Sequence, residues 1–304
     1  MILASIEELQ SRLLNVNNSV AVRIRSIFGF KGLGGQKAVE VLSLCLRQDP
    51  SCLVRHEAAY ALGQMREEEG LNVLYCCLFD KSEDPMVRHE AAEAIGAIGK
   101  VASISVLQEA LLDENKEVRD TCELAIQRIL STQHEEEKDN LSLVRTVDPV
   151  PSCNRFSQLS TREIGEKFLD RSLSLFERYG YLFELRNRAS PEAVSYLCKG
   201  FNDENALLKH EIAFVLGQLS DAQATESLMR LVSNPDEHYM VRHEAAEALG
   251  SMATEEIVKF LIEYLSDENT VVRESCEVAL DICDFYRSED FHYTDVLLHS
   301  TCNS

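Results

Sequence analysis

The chain has 304 residues, 45% of them hydrophobic, and carries 51 acidic against 30 basic side chains for a formal net charge of −21. That length supports a substantial core, and no apolar run approaches the roughly 20 residues that a bilayer span requires, so no membrane association is expected. The charge argues against a nucleic-acid partner, whose phosphates need clustered Lys and Arg, and favours cationic ones.

Residues 1–10 read MILASIEELQ, without a basic segment followed by an apolar one, so a signal peptide is not expected and a cytoplasmic location is. From there the chain falls into units of about 31 to 33 residues. Residues 22–32 open the series, and residues 69–99 show one unit whole. Leu71, Val73, Leu74 and Leu78 make one helical stripe, residues 80–85 a polar turn ending on Pro85, and Val87, Ala91, Ala94, Ile95 and Ile98 the next stripe. Small Ala at crossing positions lets the second helix pack closely, as in the inner layer of a solenoid.

The series continues to Val118-Arg119 and Cys122, and residues 131–160 then interrupt it with a polar, Pro-punctuated stretch expected to be a flexible linker. Residues 176–187 reopen the pattern, and Val272-Arg273 with Cys276 repeat the earlier phrase at an offset of 154. Beyond about Phe285 the periodicity fades. The expected fold is therefore all-α, an eight-hairpin repeat solenoid in two pseudo-symmetric lobes of four. Its boundaries are 1–130 and 161–287, with a linker over 131–160 and a tail over 288–304. Ten Cys without a CxxC pair lie mostly on apolar helix faces and are expected to be reduced core residues.

Inside this frame one dipeptide recurs. His56-Glu57 and His89-Glu90 lie 33 residues apart, His210-Glu211 and His243-Glu244 lie 33 apart again, and the second pair repeats the first at 154. Each opens one apolar phrase: HEAAYALGQM, HEAAEAIGAI, HEIAFVLGQL or HEAAEALGSM. A single Glu there is explained by the helix dipole, and a single His by a buried imidazole bonded to a carbonyl. The repeats supply their own control. The matching places in the terminal units hold Arg25-Ser26, Asp120-Thr121, Gly180-Tyr181 and Glu274-Ser275, so the fold does not demand His-Glu. A fifth dipeptide, His134-Glu135, sits in the linker out of register and is read as chance. Four in register point to metal ligation.

Adjacent helical residues diverge by about 100°, so one His and the Glu beside it do not chelate one ion well, and partners must come from other helices. Inner helices about 8 to 10 Å apart let His56 and His89 converge on one ion and His210 and His243 on another. Crossing carboxylates complete the scheme, with Glu211 for the first ion and Glu57 for the second. The zincin spacing fails because the i+4 positions hold Tyr60, Glu93, Phe214 and Glu247, and no Glu lies three residues before any of the four His. Imidazole with carboxylate suits iron, manganese or zinc, and the sequence leaves the element open.

These four dipeptides in two halves, the tandem HEAT-like units, and phrases such as MVRHEAAEALG and VVRESCEVALD resemble the deoxyhypusine hydroxylase family over nearly the whole chain. The resemblance implies a non-haem di-iron monooxygenase with two Fe2+ ions. Such an enzyme uses dioxygen to hydroxylate deoxyhypusine to hypusine in eukaryotic translation initiation factor 5A. It also implies ligands that leave open positions, so Glu90 and Glu244 are expected to face the substrate amines, with Glu93 and Glu247 one turn further on as additional candidates. The rival readings are a non-catalytic repeat scaffold that binds proteins in its concave face, against which the out-of-frame terminal units argue, and a bilin-lyase type of repeat protein.

Overall fold

The computed structural model describes residues 5–133, 146–151, 156 and 158–287. The expected tail over 288–304, most of the expected linker and His134-Glu135 lie outside the described residues. Within them run sixteen α-helices. The first half holds α1 (Ile6–Leu14), α2 (Val20–Leu33), α3 (Gly35–Gln48), α4 (Cys52–Met65), α5 (Leu71–Phe79), α6 (Pro85–Ile98), α7 (Ile104–Ala110) and α8 (Lys116–Thr132). The second holds α9 (Thr161–Phe168), α10 (Leu175–Arg188), α11 (Pro191–Gly200), α12 (Ala206–Leu219), α13 (Thr225–Ser233), α14 (Tyr239–Gly250), α15 (Glu255–Tyr264) and α16 (Thr270–Arg287). Each odd-numbered helix packs on the next even-numbered one, and the even-numbered helices of each half stack in succession as an inner layer. The all-α repeat fold is thus as expected. The short first helices α1 and α9 are the elements that the periodicity did not delineate.

Two features bring the inner helices together in register. The glycine seven residues after each His-Glu histidine is a contact surface: a Cβ on Gly63 would stand 2.6 Å from Ala94 Cα, one on Gly96 2.8 Å from Ala125 Cβ, one on Gly217 3.0 Å from Ala248 Cα, and one on Gly250 2.9 Å from Ala279 Cα. Neighbouring backbones touch there, and any side chain would push them apart.

The second feature is a ladder of ion pairs. In six of the eight inner helices a cation near the start reaches the acidic turn before the next one: Arg23 to Asp49, Arg55 to Glu83, Arg88 to Asp113, Arg178 to Asp203, Lys209 to Glu237 and Arg242 to Asp267. The acidic partner also receives the backbone N–H of the following turn, as Asp49 does from Ser51, Asp113 from Asn115, Asp203 from Asn205 and Asp267 from Asn269. Ser51, Asn115 and Asn205 in turn cap α4, α8 and α12. One side chain therefore ties the height of one inner helix to the N-terminus of the next.

Each half has its own apolar cluster, yet the clusters interlock, since Met240, Val271 and Val278 belong to the first and Leu124 to the second. Polar contacts close the halves on each other with pseudo-symmetry. Ser51 Oγ donates to Glu274 at 2.7 Å and Asn205 Nδ2 to Asp120 at 2.8 Å, an identical contact at the 154-residue offset. Tyr239 donates to Asp84, and Arg25 pairs with Asp281.

Part of the expected flexible linker is instead tied down. Val147 exchanges both backbone bonds with the Gln64 amide at 2.8 and 3.1 Å, and Asp148 takes a two-pronged pair from the fully buried Arg186 at 2.6 and 2.7 Å. Val150 is buried, and Phe156 rests on Tyr181. A polar composition signals a loop but does not reveal that its Asp has a buried guanidinium waiting for it. The cysteines described are all free thiols, mostly buried, with Cys76 exposed against expectation. Among the described residues no helix is long and apolar enough to cross a membrane.

The ladder generates a pH signature. Against burial, which alone would raise it, hydrogen bonds from Arg88 and Lys81 hold the Asp113 carboxyl at about 2, below its ordinary 3.8. Because the folded value is the lower one, the stabilisation is complete above about pH 4 and is lost as pH falls toward 2. Asp113→Asn is expected to lower the unfolding free energy by about 2 kcal/mol at neutral pH. Urea titrations should show that difference shrinking between pH 4 and 2, and a pH-independent difference contradicts the assignment.

Candidate metal centre

His56, His89, His210 and His243 lie on α4, α6, α12 and α14, in the second turn of α4, α6, α12 and α14, each one residue after the ladder cation Arg55, Arg88, Lys209 or Arg242. Clamping that cation places the next side chain inward at one height. All four imidazoles meet between the halves and are nearly inaccessible to water, with His89 and His243 at 0% exposure. The His56 ring centroid lies 5.8 Å from His89, 6.1 Å from His210 and 5.2 Å from His243; His89 and His210 are 5.5 Å apart, and His210 and His243 5.2 Å. The Nε2 atoms of His210 and His243 approach to 3.2 Å.

Carboxylates join them in two sets. Within each half the second dipeptide supplies a close one: Glu90 stands 3.3 Å from His56 Nε2, and Glu244 stands 3.4 Å from His210 Nε2 and 3.9 Å from His243 Nε2. Single donor atoms of His56, His89 and Glu90 all lie within 4.8 Å of one another, as do those of His56, His210 and His243. The first dipeptides are placed differently. Glu57 turns back to His56 Nδ1 at 3.2 Å, while one oxygen of Glu211 is buried without a hydrogen bond. Glu247 stands 3.6 Å from His243 Nδ1 and accepts from Ser275, and Glu93 is half-buried.

The protonation states suit a cation. Burial, and then the neighbouring imidazoles, hold His89, His210 and His243 well below the ordinary range, in the neutral form that binds metal. His56 goes the other way: burial would lower it, but the Glu57 and Glu90 carboxylates raise it well above. Burial, then the Asp148 and Glu90 charges, push Glu211 up to about 8, and burial, then Glu57, does the same for Glu247. Burial with the Glu247 and Glu57 charges raises Glu244, and burial with Glu90 and Glu211 raises Glu93. Each carboxylate thus feels those of the opposite half, and the His56 and Arg186 charges offset that repulsion only in part. His56 Nε2, both nitrogens of His89 and His243 Nδ1 are buried without hydrogen bonds, although Glu90 is near the first. Orphaned donors of this kind, all nitrogen or carboxylate oxygen and converging on a shared space, fit one or two divalent ions.

Sequence reasoning missed the surrounding wall. Tyr60 and Phe214, four residues after His56 and His210, stack edge to face across the halves at 6.1 Å. Lys31 lies over the Phe28 and Tyr60 rings at 4.9 and 5.0 Å, near Glu57, and burial lowers its pKa. The ladder also corrects the terminal register. Arg23 and Arg178 are the clamped cations, so the dipeptide places in α2 and α10 hold Ile24-Arg25 and Tyr179-Gly180, one residue before the expected positions. In that frame Lys31 and Arg186 occupy the glycine position of the opening units, a regularity that only the corrected register exposes.

Comparison with known proteins agrees with this arrangement. HEAT repeats match residues 6–80, 40–127 and 178–281. Deoxyhypusine hydroxylase of Drosophila melanogaster is 40% identical over 292 residues, covering 96% of each chain, and that of Lentinula edodes is 44% identical over 315 residues, covering 96% of this chain and 95% of its own. The structure of human deoxyhypusine hydroxylase in complex with glycerol superposes with a TM-score of 0.88 at 37% identity, covering 92% of this chain and 96% of the human one. The chain belongs to the deoxyhypusine hydroxylase family. Membership at this coverage takes in both halves and all four dipeptides, so the centre lies inside the shared fold.

If the cluster binds divalent ions only when folded, adding Mn2+ to metal-free protein should stabilise it by about 2.7 kcal/mol per site at a free concentration one hundred times the dissociation constant. His89→Ala should abolish most of that gain. Equal melting shifts in wild type and variant contradict ligation by His89.

Proposed function

We propose that the protein hydroxylates the deoxyhypusine side chain of eukaryotic translation initiation factor 5A, with dioxygen and two iron ions held between the halves. The observation that carries this reading is the convergence of four buried imidazoles from α4, α6, α12 and α14 with the carboxylates beside them. His56, His89 and Glu90 would hold one ion, and His210, His243 and Glu244 the other. Within this proposal the two kinds of Glu exchange the roles expected above, because Glu90 and Glu244 are the carboxylates near the Nε2 atoms, whereas Glu57 faces Nδ1. Bound iron supplies the redox chemistry that reduces dioxygen and attacks an unactivated C–H bond, for which zinc has no capacity.

The chain's own residues do the rest. The four imidazoles and two carboxylates would hold the ions and leave coordination positions free. Glu57 and Glu211, with Glu93 behind them, present carboxylates to the amines of the extended side chain, where charge-assisted hydrogen bonds form out of water. Tyr60 and Phe214 flank the cluster and exclude solvent from it. The net charge of −21 draws in the basic loop that carries such a residue.

Purified protein with Fe2+, dioxygen and a reductant should add one oxygen atom to a deoxyhypusine-bearing factor, read by mass spectrometry of the modified peptide. Glu57→Gln and Glu211→Gln are expected to keep their metal while weakening substrate affinity about ten- to one-hundred-fold, the value of a charged hydrogen bond. Loss of iron from these variants, or undiminished affinity, returns Glu57 and Glu211 to the ligand set and overturns the exchange.

A further inference from the structure

The two pseudo-equivalent ends of the centre are not equally supported. On the second-half side, His243 directs Nε2 at His210 and Nδ1 at Glu247, whose Oε1 lies 3.6 Å away and also accepts from Ser275 Oγ at 3.2 Å. His243 and Ser275 are both at 0% exposure, and Glu247 between them is half-buried. His243 Nδ1 has no hydrogen bond at that separation, and Glu247 is the carboxylate placed to supply one by a shift of roughly half an ångström.

The equivalent line on the first-half side is broken. Thr121 stands at the 154-residue offset from Ser275, but its hydroxyl donates to Glu117 O one turn back at 2.8 Å. Both nitrogens of His89 are buried without hydrogen bonds. The same three positions thus line up in one half, with Glu247 between Ser275 and His243, and do not in the other.

We infer that Glu247, held by Ser275, is a positioning residue that fixes the His243 ring by accepting its Nδ1–H, and that the two metal positions consequently differ in how tightly they hold their ion. An imidazole whose outer N–H meets a carboxylate is locked in one tautomer and orientation and is a stronger donor at its other nitrogen. The ion held by His210, His243 and Glu244 is the last to leave. This inference rests on the metal-centre reading above and replaces the expected substrate role of Glu247 with one behind the ligands.

The test is release of Fe2+ from anaerobically loaded protein into excess chromophoric chelator. Wild type should bind two ions and release them in two phases, the slow one absent in His243→Ala. Glu247→Gln should accelerate the slow phase about ten- to one-hundred-fold, the usual consequence of losing such a partner, and Ser275→Ala less so. Glu93→Gln, the matched control, should leave both phases within about twofold. Melting of metal-free Glu247→Gln should be unchanged or higher, since a buried carboxylate is neutralised, whereas a merely structural role lowers it. Wild-type protein that binds no ion overturns the centre itself. Two ions whose release ignores Glu247→Gln, or responds equally to Glu93→Gln, overturn this inference alone.

Discussion

The architecture depends on the ion pair between each inner helix and the acidic turn before the next. Six such pairs recur along the chain, and the three arginines Arg88, Arg178 and Arg242 also donate through Nε to a backbone carbonyl ten residues upstream. Buried ion pairs are poor contributors to stability in isolation, because desolvation offsets much of the attraction, but removing one partner leaves a stranded charge. Their value here is register. A slip of one residue along α6 would turn His89 about 100° away from His56 and dissolve the centre. The glycine and alanine contacts set how near the inner helices come, and the ladder sets at what height.

Register brings together groups that repel. Four imidazoles and at least six carboxylates occupy one poorly hydrated space between the halves, and the shifts of Glu93, Glu211, Glu244 and Glu247 all point toward protonation. Such a cluster is a site of stored electrostatic cost unless a cation enters it. In the proposed function a divalent metal would satisfy the imidazoles and the nearer carboxylates, and a cationic side chain those farther out. The halves are joined through the paired Ser51 and Asn205 contacts and through the segment at Val147 and Asp148, with the imidazole cluster between them.

Much of this was legible in the residues alone. Helix period, repeat length and the four dipeptides are local signals repeated in one frame, and repetition is what made them readable: Pro85 begins α6, and the stripe over 71–78 lies within α5, as the pattern implied. What escaped depends on long-range partners. Arg186 reads as one more surface cation until Asp148, 38 residues earlier, is laid against it. That Glu90 lies near His56 Nε2 and Glu57 near its Nδ1 depends on side-chain direction, which spacing does not encode. The one-residue error in α2 and α10 arose because Lys31 and Arg186 stand where the four central units have glycine, which removes the landmark for the frame that the ladder restores.

The central claim is that the converging imidazoles hold two iron ions. Anomalous scattering from crystals of the iron-loaded protein, collected on both sides of the iron absorption edge, addresses it directly. Two peaks are predicted between the halves, one at bonding distance from His56, His89 and Glu90 and the other from His210, His243 and Glu244, at roughly 2.0 to 2.2 Å for nitrogen and oxygen ligands. A single peak, or peaks away from these imidazoles, would contradict the account.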